Sequence, residues 1–256
     1  MLDTLWATSH SPTGKARGTL PFGLLDEVNL KWEGIRSHSG LIEVGFKKRM
    51  GFLVQENVSR KDDEIMKVAA FNGSSRKDGN TAILLNLVLD ELKTEGIETE
   101  LIQLAGETLS GCIACYKCAE NRNQKCGVAK DRVNEYIAKM QQAEGILLGS
   151  PTYISDMTAN MKALIERSTI VSRSNGDLFK RKVGAAVIAV RRAGSTHVLS
   201  SMNYFFLINQ MMIPGSSYWN MGIGRNPGEV RSDAEGVQTM KTLGQNMAWL
   251  LKKIYR

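Results

Sequence analysis

The residues of this chain best suited to chemistry are its cysteines, all of which fall within one short segment: Cys112, Cys115, Cys118 and Cys126. The first three have the spacing C-x2-C-x2-C, and the fourth follows the polar stretch AENRNQK. Thiolates spaced in this way can converge on one small inorganic cluster. Zinc is an alternative, although structural zinc sites more often use two Cys pairs separated by roughly a dozen residues or more. Free thiols in a loop between two subunits are a further alternative.

A second candidate site is the loop GSSRKDGNT, residues 73–81, which leads directly into a predicted helix. Its small residues allow close backbone approach, its hydroxyls can donate hydrogen bonds, and the helix start presents unpaired N–H groups, so the loop suits a phosphate. Arg76 adds positive charge. The loop matches neither the dinucleotide motif G-x-G-x-x-G nor the Walker motif G-x-x-x-x-G-K-[ST]. The alternative is an ordinary strand-to-helix turn with Asn80 or Thr81 as N-cap.

Both candidate sites need a scaffold, and the sequence downstream of Met66 predicts one. Five apolar strand patterns are present: MKVAAFN, ETELIQL, GILLGSP, KVGAAVIAV and IPGSSYWNM. Helical patterns alternate with them: TAILLNLVLDELKTEG, DRVNEYIAKMQQA, TANMKALIERSTIV, THVLSSMNYFFLINQMM and EGVQTMKTLGQNMAWLLKKI. Such alternation predicts an α/β fold, a doubly wound five-stranded parallel sheet with helices on both faces. Ligands of this fold bind beyond the carboxyl ends of the strands.

The loops at those strand ends resemble a known family. The arrangement strand, GSSRKDGNT, helix, followed later by GSPTYISDMTANMKALIERS, is similar to the NAD(P)H-dependent FMN reductases of the flavodoxin-like superfamily, over residues 66–256. The resemblance implies an FMN phosphate site in the first loop, formed by Ser74, Arg76, Asn80 and Thr81. It also implies that the later loops hold the flavin ring, through Ser150, Pro151, Thr152, Tyr153, Arg191, Arg192 and Gly194.

The cysteine spacing resembles the compact motif of the iron-sulfur flavoproteins, a branch of the same superfamily. That resemblance implies that all four cysteines ligate a [4Fe-4S] cluster, which we expect beside the flavin edge because the loop follows a strand end. Lys117, Arg122 and Lys125 lie among the cysteines and would partly offset the negative charge of such a cluster. The spacer before Cys126 is longer than in the motif, which loosens the ligand loop without excluding ligation.

Composition narrows the class of protein. Of the 256 residues, 43% are hydrophobic and 23% charged, and no apolar run approaches the ~20 residues that a membrane helix needs. The start of the chain lacks the pattern of a secretory signal, so a cytoplasmic protein is expected. The net charge of +7 is spread along the chain, which argues against nucleic-acid binding and favours anionic small ligands. Residues 1–65 show no sustained pattern and are interpreted as an N-terminal arm or extension; we expect a homo-oligomer, a dimer or tetramer.

The expected function is an FMN-dependent NAD(P)H oxidoreductase that passes electrons to a small-molecule or protein acceptor, through a cluster if one is present. No side chain is assigned as catalytic, because the protein contributes placement and electrostatics, and the chain's histidines are left outside the site. The alternatives are a cluster-free quinone, nitro- or azo-compound reductase, and a non-enzymatic flavodoxin-like carrier or redox sensor. Met202, Met211 and Met212 are predicted in the core, and Trp219 is predicted to pack under the fifth strand, with a place on the substrate side as the alternative.

Overall fold

The computed structural model describes residues 65–128 and 130–256. The predicted extension, residues 1–65, lies outside this part apart from its last residue, so its role stays a prediction. Five parallel strands form one sheet in the order β2-β1-β3-β4-β5. The strands are β1 Lys67–Asn72, β2 Glu98–Gln103, β3 Gly145–Pro151, β4 Val183–Val190 and β5 Met221–Ile223. The predicted doubly wound parallel sheet is confirmed, with the strand order of flavodoxin-like folds.

Helices cover both faces of this sheet, because the buried central strands alternate side chains between two apolar layers. Phe71 of β1 and Leu148 of β3 pack with one layer, and Ala70 and Leu147 pack with the other. The helices are α1 Asn80–Thr94, α2 Lys117–Asn121, α3 Val133–Gln142, α4 Ala159–Ser174, α5 Ser195–Ile208 and α6 Ala234–Tyr255. Helices α3, α4 and α5 belong to the first layer, α1 and α6 to the second. No helix among the described residues is both long and apolar enough to cross a membrane.

The predicted helix at α5 extended too far, and the predicted fifth strand was too long. Helix α5 stops at Ile208, because the amide of Asn209 bonds the Phe205 carbonyl and Gln210 adopts a left-handed φ of 57°. The stretch from Ile213 to Asn220 is a loop, and only three residues form β5, which pairs with the end of β4. Proline and glycine early in that stretch disfavour a strand.

Two residues of this region also differ from the expectation. Trp219 does not pack under the sheet: its side chain is 55% exposed and, with Tyr218, lines a surface pocket. Met212 is 45% exposed, whereas Met202 and Met211 are buried in the core as predicted. The predicted cysteine loop also contains a short helix, α2.

Candidate functional site

The first loop after β1 is held rigid by two amide side chains. The Asn72 amide donates to the Gln103 carbonyl oxygen at 2.6 Å, and its own oxygen accepts the N–H of Ser74 at 3.0 Å. Gln103 in turn donates to the Ser74 carbonyl at 2.7 Å. Both Asn72 and Ser74 are buried. The loop backbone is therefore fixed before any ligand arrives, which lowers the ordering cost of binding.

The free donors of this loop lie at the start of α1. The helix begins at Asn80 after Gly79, and no acidic residue occupies its first turn, so its N-terminal N–H groups favour an anion. The Ser74 hydroxyl accepts the Arg76 N–H, while the Arg76 side chain is exposed and has no partner in the part of the chain that the structure describes. Thr81 is buried inside the first turn. Arg76 and the helix start are thus the groups available to a phosphate.

Asn80 lies at the start of α1, and its side chain also bonds a segment that is distant in sequence. Its amide donates to the Asn226 carbonyl, and its oxygen accepts the Gly228 N–H, both at 2.9 Å. Gly224 lies against the same side chain, since a Cβ there would come within 2.9 Å of the Asn80 nitrogen. Asn80 therefore ties the first loop to the segment after β5, a contact across the sheet that the sequence pattern did not predict.

The first and second loops meet at a seam with no room for a side chain. Gly73 donates to the Gly149 carbonyl at 2.7 Å, and a Cβ on Gly73 would lie 2.9 Å from the Thr158 hydroxyl oxygen and 3.1 Å from Met161. Thr158 caps α4 and also donates to the Gly73 carbonyl. The Ser150 hydroxyl, fully buried, accepts the Thr158 N–H. The Ser150 side chain therefore shapes this seam, and its predicted role in cofactor binding stays a prediction.

The second loop ends in a tight turn, Tyr153 to Asp156, closed by reciprocal backbone bonds of 2.8 and 3.0 Å. Its central residues, Ile154 and Ser155, both have left-handed φ values of 49° and 60°. Left-handed backbone is costly for a β-branched residue, and such strain clusters at functional sites. Ile154 is completely exposed and Tyr153 is 47% exposed. The turn thus presents an aromatic and an aliphatic side chain to solvent.

This strain gives a stability prediction. Replacing Ile154 by Asn, a residue that tolerates left-handed backbone, should raise the free energy of unfolding by about 1 kcal/mol, because no burial is lost. Chemical denaturation of the ligand-free protein measures this. The matched control is Ile223→Asn, at an exposed isoleucine in a strand, which should not stabilise. A less stable Ile154→Asn protein would show that the turn is not strained.

The third loop contacts the second through Gly194, whose φ is 90°. A Cβ there would lie 2.9 Å from the Ser155 hydroxyl oxygen and 3.1 Å from the Thr152 methyl group. The Thr152 hydroxyl oxygen is itself buried and has no hydrogen-bond partner among the described residues. A buried polar atom left unpaired at this point suits a ligand that supplies the missing partner.

One cation of the third loop, Arg191, lies near the ends of β4 and β5. Arg191 and Arg192 are exposed, and Arg191 lines a pocket of about 490 Å³ together with Arg225. The acids of this pocket are engaged: Glu229 accepts the N–H groups of Arg225 and Asn226, and Asp233 accepts those of Ile223 and Gly236. The bonds from the Asn226 and Arg225 backbone lower the pKa of Glu229.

The four cysteines line one cavity of about 60 Å³ against α4. A single water needs roughly 10–15 Å³, so the space admits a group of several atoms. Left-handed residues at Ala114 and Tyr116 turn the chain between successive cysteines, which brings their side chains to the same side. Cys118 is buried and Cys112 exposed. Among the described residues, no three Cys, His, Asp or Glu side chains converge closely enough to hold a single metal ion.

The wall of this cysteine cavity contains a buried charge. Arg167 of α4 is 1% exposed and donates through Nε to Cys126 Sγ at 3.3 Å. Its other nitrogens bond the Ser110 and Val128 carbonyls and the Asp131 carboxylate. Burial would raise the pKa of Asp131, but the bonds from Arg167 and the Val133 N–H outweigh it and hold that pKa below its usual range. The carboxylate is therefore charged and paired.

Within a single chain, the cysteine cavity lies along α4 at a distance from the seam between the first two loops, and its place beside the flavin edge stays a prediction. Helix α4 starts at the seam between the first two loops, but the cavity lies against Arg167, Ile170 and Val171. At 1.5 Å per residue, those residues are roughly 13–20 Å farther along the helix than Thr158. The reason is that the cysteine segment runs down the outside of α4: the Asn175 side chain at the helix end bonds the Cys118 carbonyl and the Gln124 N–H.

The structure thus brings the first three loops together and leaves the cysteines apart from them. The pattern reasoning missed the supporting residues: Asn72, Gln103, Thr158, Arg167 and Asp131. Thr158 was detectable as an N-cap before an apolar helix. An arginine within the apolar run of α4 was a weaker signal, because its partners come from elsewhere in the chain.

Comparisons with known proteins agree with this geometry. A sequence profile of the NADPH-dependent FMN reductases matches residues 66–226. An iron-sulfur flavoprotein of Methanocaldococcus jannaschii is 38% identical over 196 residues, covering 74% of this chain and 99% of that protein.

Two solved structures share the fold. RosB, solved with a bound 8-demethyl-8-formylriboflavin-5'-phosphate intermediate, has a TM-score of 0.60 at 18% identity, over 74% of this chain and 80% of that one. A WrbA-like flavodoxin of Agrobacterium tumefaciens has a TM-score of 0.52 at 12% identity, over 74% and 99%. These identities show the fold alone.

Proposed function

We propose that FMN is the bound cofactor of this chain and NAD(P)H its electron donor. The premise is that the chain belongs to the NADPH-dependent FMN reductase family and is therefore a flavin-dependent oxidoreductase. The observation that carries the proposal is the convergence of three loops at the carboxyl ends of β1, β3 and β4. In the 2-1-3-4-5 strand order, the point between β1 and β3 is where FMN binds in flavodoxins.

The residues present fit FMN. The rigid first loop, the acid-free start of α1 and the unpaired Arg76 side chain provide donors and charge for a terminal phosphate. Gly73 and Gly194 let neighbouring loops pack in direct contact at the two loop junctions, and the buried Thr152 hydroxyl lacks a partner that a ring atom would supply. FMN would supply the conversion of two-electron into one-electron chemistry.

The chain's own residues then act by placement. The seam of Gly73, Ser150 and Thr158 fixes the second loop relative to the first, so the ring and the phosphate sites keep one spacing. Arg192 adds positive charge in the third loop, where it would stabilise negative charge on a reduced ring. Tyr153 and Ile154 offer apolar surface on the exposed side of the second loop.

The arginine pocket suits the phosphates of the donor. Arg191→Ala with Arg225→Ala should raise the KM for NADPH about tenfold or more with kcat nearly unchanged, because binding contacts remote from the reaction are lost. Steady-state kinetics measure this. Arg231→Ala, an exposed arginine of the neighbouring 3₁₀ turn, is the control and should leave KM unchanged. An unaltered KM in the double variant would place the donor elsewhere.

We also propose that the four cysteines hold a [4Fe-4S] cluster; the relative from Methanocaldococcus jannaschii is described as an iron-sulfur flavoprotein. In favour are a donor set of four thiols on one cavity and an arginine hydrogen bond to Cys126. A [4Fe-4S] cluster takes one cysteine for each of its irons, which matches the four thiols on one cavity.

One preparation tests the cofactor proposals. Protein purified anaerobically should be yellow, release FMN and not FAD, contain about four irons per chain, and lose its flavin absorbance when NADPH or NADH is added. Release of FAD would defeat the FMN assignment, and a flavin that neither nucleotide reduces would defeat the donor assignment. Full flavin without iron would leave a cluster-free quinone, nitro- or azo-compound reductase.

A further inference from the structure

The buried guanidinium of Arg167 joins parts of the chain that are distant in sequence. It bonds the carbonyl of Ser110, before the first cysteine, and the carbonyl of Val128, after the last one. Its ion pair with Asp131 extends this junction, since Asp131 also accepts the N–H of Ser110 at 3.4 Å and that of Val133 at the start of α3. Both ends of the cysteine segment are therefore fastened to α4 through one side chain.

The same side chain reaches the sulfur of one cysteine. Nε of Arg167 donates to Cys126 Sγ at 3.3 Å, whereas the Asp131 carboxylate contacts the opposite edge of the guanidinium, through NH1. Only arginine offers several planar donors that can serve four acceptors at once, and lysine cannot reproduce that geometry. Because the ion pair is almost completely buried, solvent screens it little, and its positive end faces the cavity.

From these contacts we propose that Arg167, held by Asp131, is a positioning residue that closes the cysteine segment and tunes the redox potential of the group bound by the cysteines. The second part rests on the cluster proposed above, and the first part does not. A hydrogen bond and a nearby positive charge at a ligating sulfur favour the more negative, reduced form of a cluster.

The closing of the segment is tested without iron, in the FMN-loaded protein. The double variant R167M/D131N removes both charges together, so no unpaired carboxylate is left buried. Hydrogen exchange of residues 110–128 should be about tenfold faster in this variant than in the unaltered protein. Arg173→Met is the matched control, because Arg173 lies on the same helix in an exposed ion pair with Asp177. Hydrogen exchange of residues 110–128 should be unchanged in this variant. Equal exchange in the double variant would overturn the closing role.

The tuning is tested by redox titration after anaerobic reconstitution with ferrous iron and sulfide. R167M/D131N should disfavour the reduced form about tenfold, which is a fall of about 59 mV for a one-electron couple. D131N alone keeps the Arg167 hydrogen bond to Cys126 and removes the negative charge of Asp131, so the reduction potential of the cluster should rise. Shifts of the same sign in both variants, or no shift, would overturn the tuning role. Unaltered protein that takes up no iron would contradict the cluster itself, and the exchange result would then decide the closing role alone.

Discussion

Replacing Cys118 by Ala should leave a yellow, FMN-bound protein that has lost most of its iron, falling from about four irons per chain to about one or fewer. Cys118 is the most buried of the four cysteines and lies in α2, on the wall of the cysteine cavity. FMN should be retained because the flavin loops are separate segments, and the α4 residues that line the cavity are roughly 13–20 Å along the helix from Thr158. Reduction of one-electron acceptors should fall more than reduction of the flavin by NAD(P)H. Iron, sulfide and flavin assays on one anaerobic preparation give the ratio directly.

The control for this experiment lies in the same loop. Ile113 lines the same cavity and is 68% exposed, so Ile113→Ala changes the loop surface while all four thiols remain. This variant should keep its iron. Wild-type protein with full flavin, no iron and four titratable thiols would contradict the cluster, as would a Cys118→Ala protein with an unchanged iron content.

Arg76→Ala and Asn80→Ala should separate two roles that the sequence assigned to one phosphate site. Arg76→Ala should weaken FMN binding by about 1.5–3 kcal/mol, which is roughly 10- to 150-fold in Kd, and leave the melting temperature of the FMN-free protein unchanged. The reason is that its side chain is exposed and has no partner among the described residues. Fluorescence titration of the FMN-free protein measures the Kd.

Asn80→Ala should instead destabilise the FMN-free protein by about 0.5–1.5 kcal/mol, because its hydrogen bonds to Asn226 and Gly228 are lost. Its effect on FMN affinity would then follow from a displaced loop. Lys77→Ala, at an exposed cation next to Arg76, is the control for general loss of charge and should cost less affinity than Arg76→Ala. Equal FMN affinity in Arg76→Ala and wild type would place the phosphate elsewhere.

The sequence predicted the sheet well because buried parallel strands carry a strong local signal. GILLGSP coincides with β3, and the periodic stretch that became α1 ends, as predicted, beside Gly96, whose φ is 75°. The same patterns failed at the sheet edge, where IPGSSYWN is a loop. An edge segment is only partly buried, so its apolar residues do not report strand structure.

The candidate site likewise has features that the sequence predicted and features that only the tertiary structure decided. The sequence by itself determined the residue types: a Gly- and Ser-rich loop before a helix, two arginines after a strand, and a cysteine cluster. Each could be recognised because spacing along the chain determines which neighbouring groups can act together. Only the tertiary structure decided their partners. Asn80 bonds residues near 226, and Arg167 bonds residues on both sides of the cysteines, through separations in sequence that no local pattern encodes. The place of the cysteine cavity along α4 was likewise decided by packing, because a loop that leaves a strand end can run in any direction that buries its apolar side chains and pairs its polar groups.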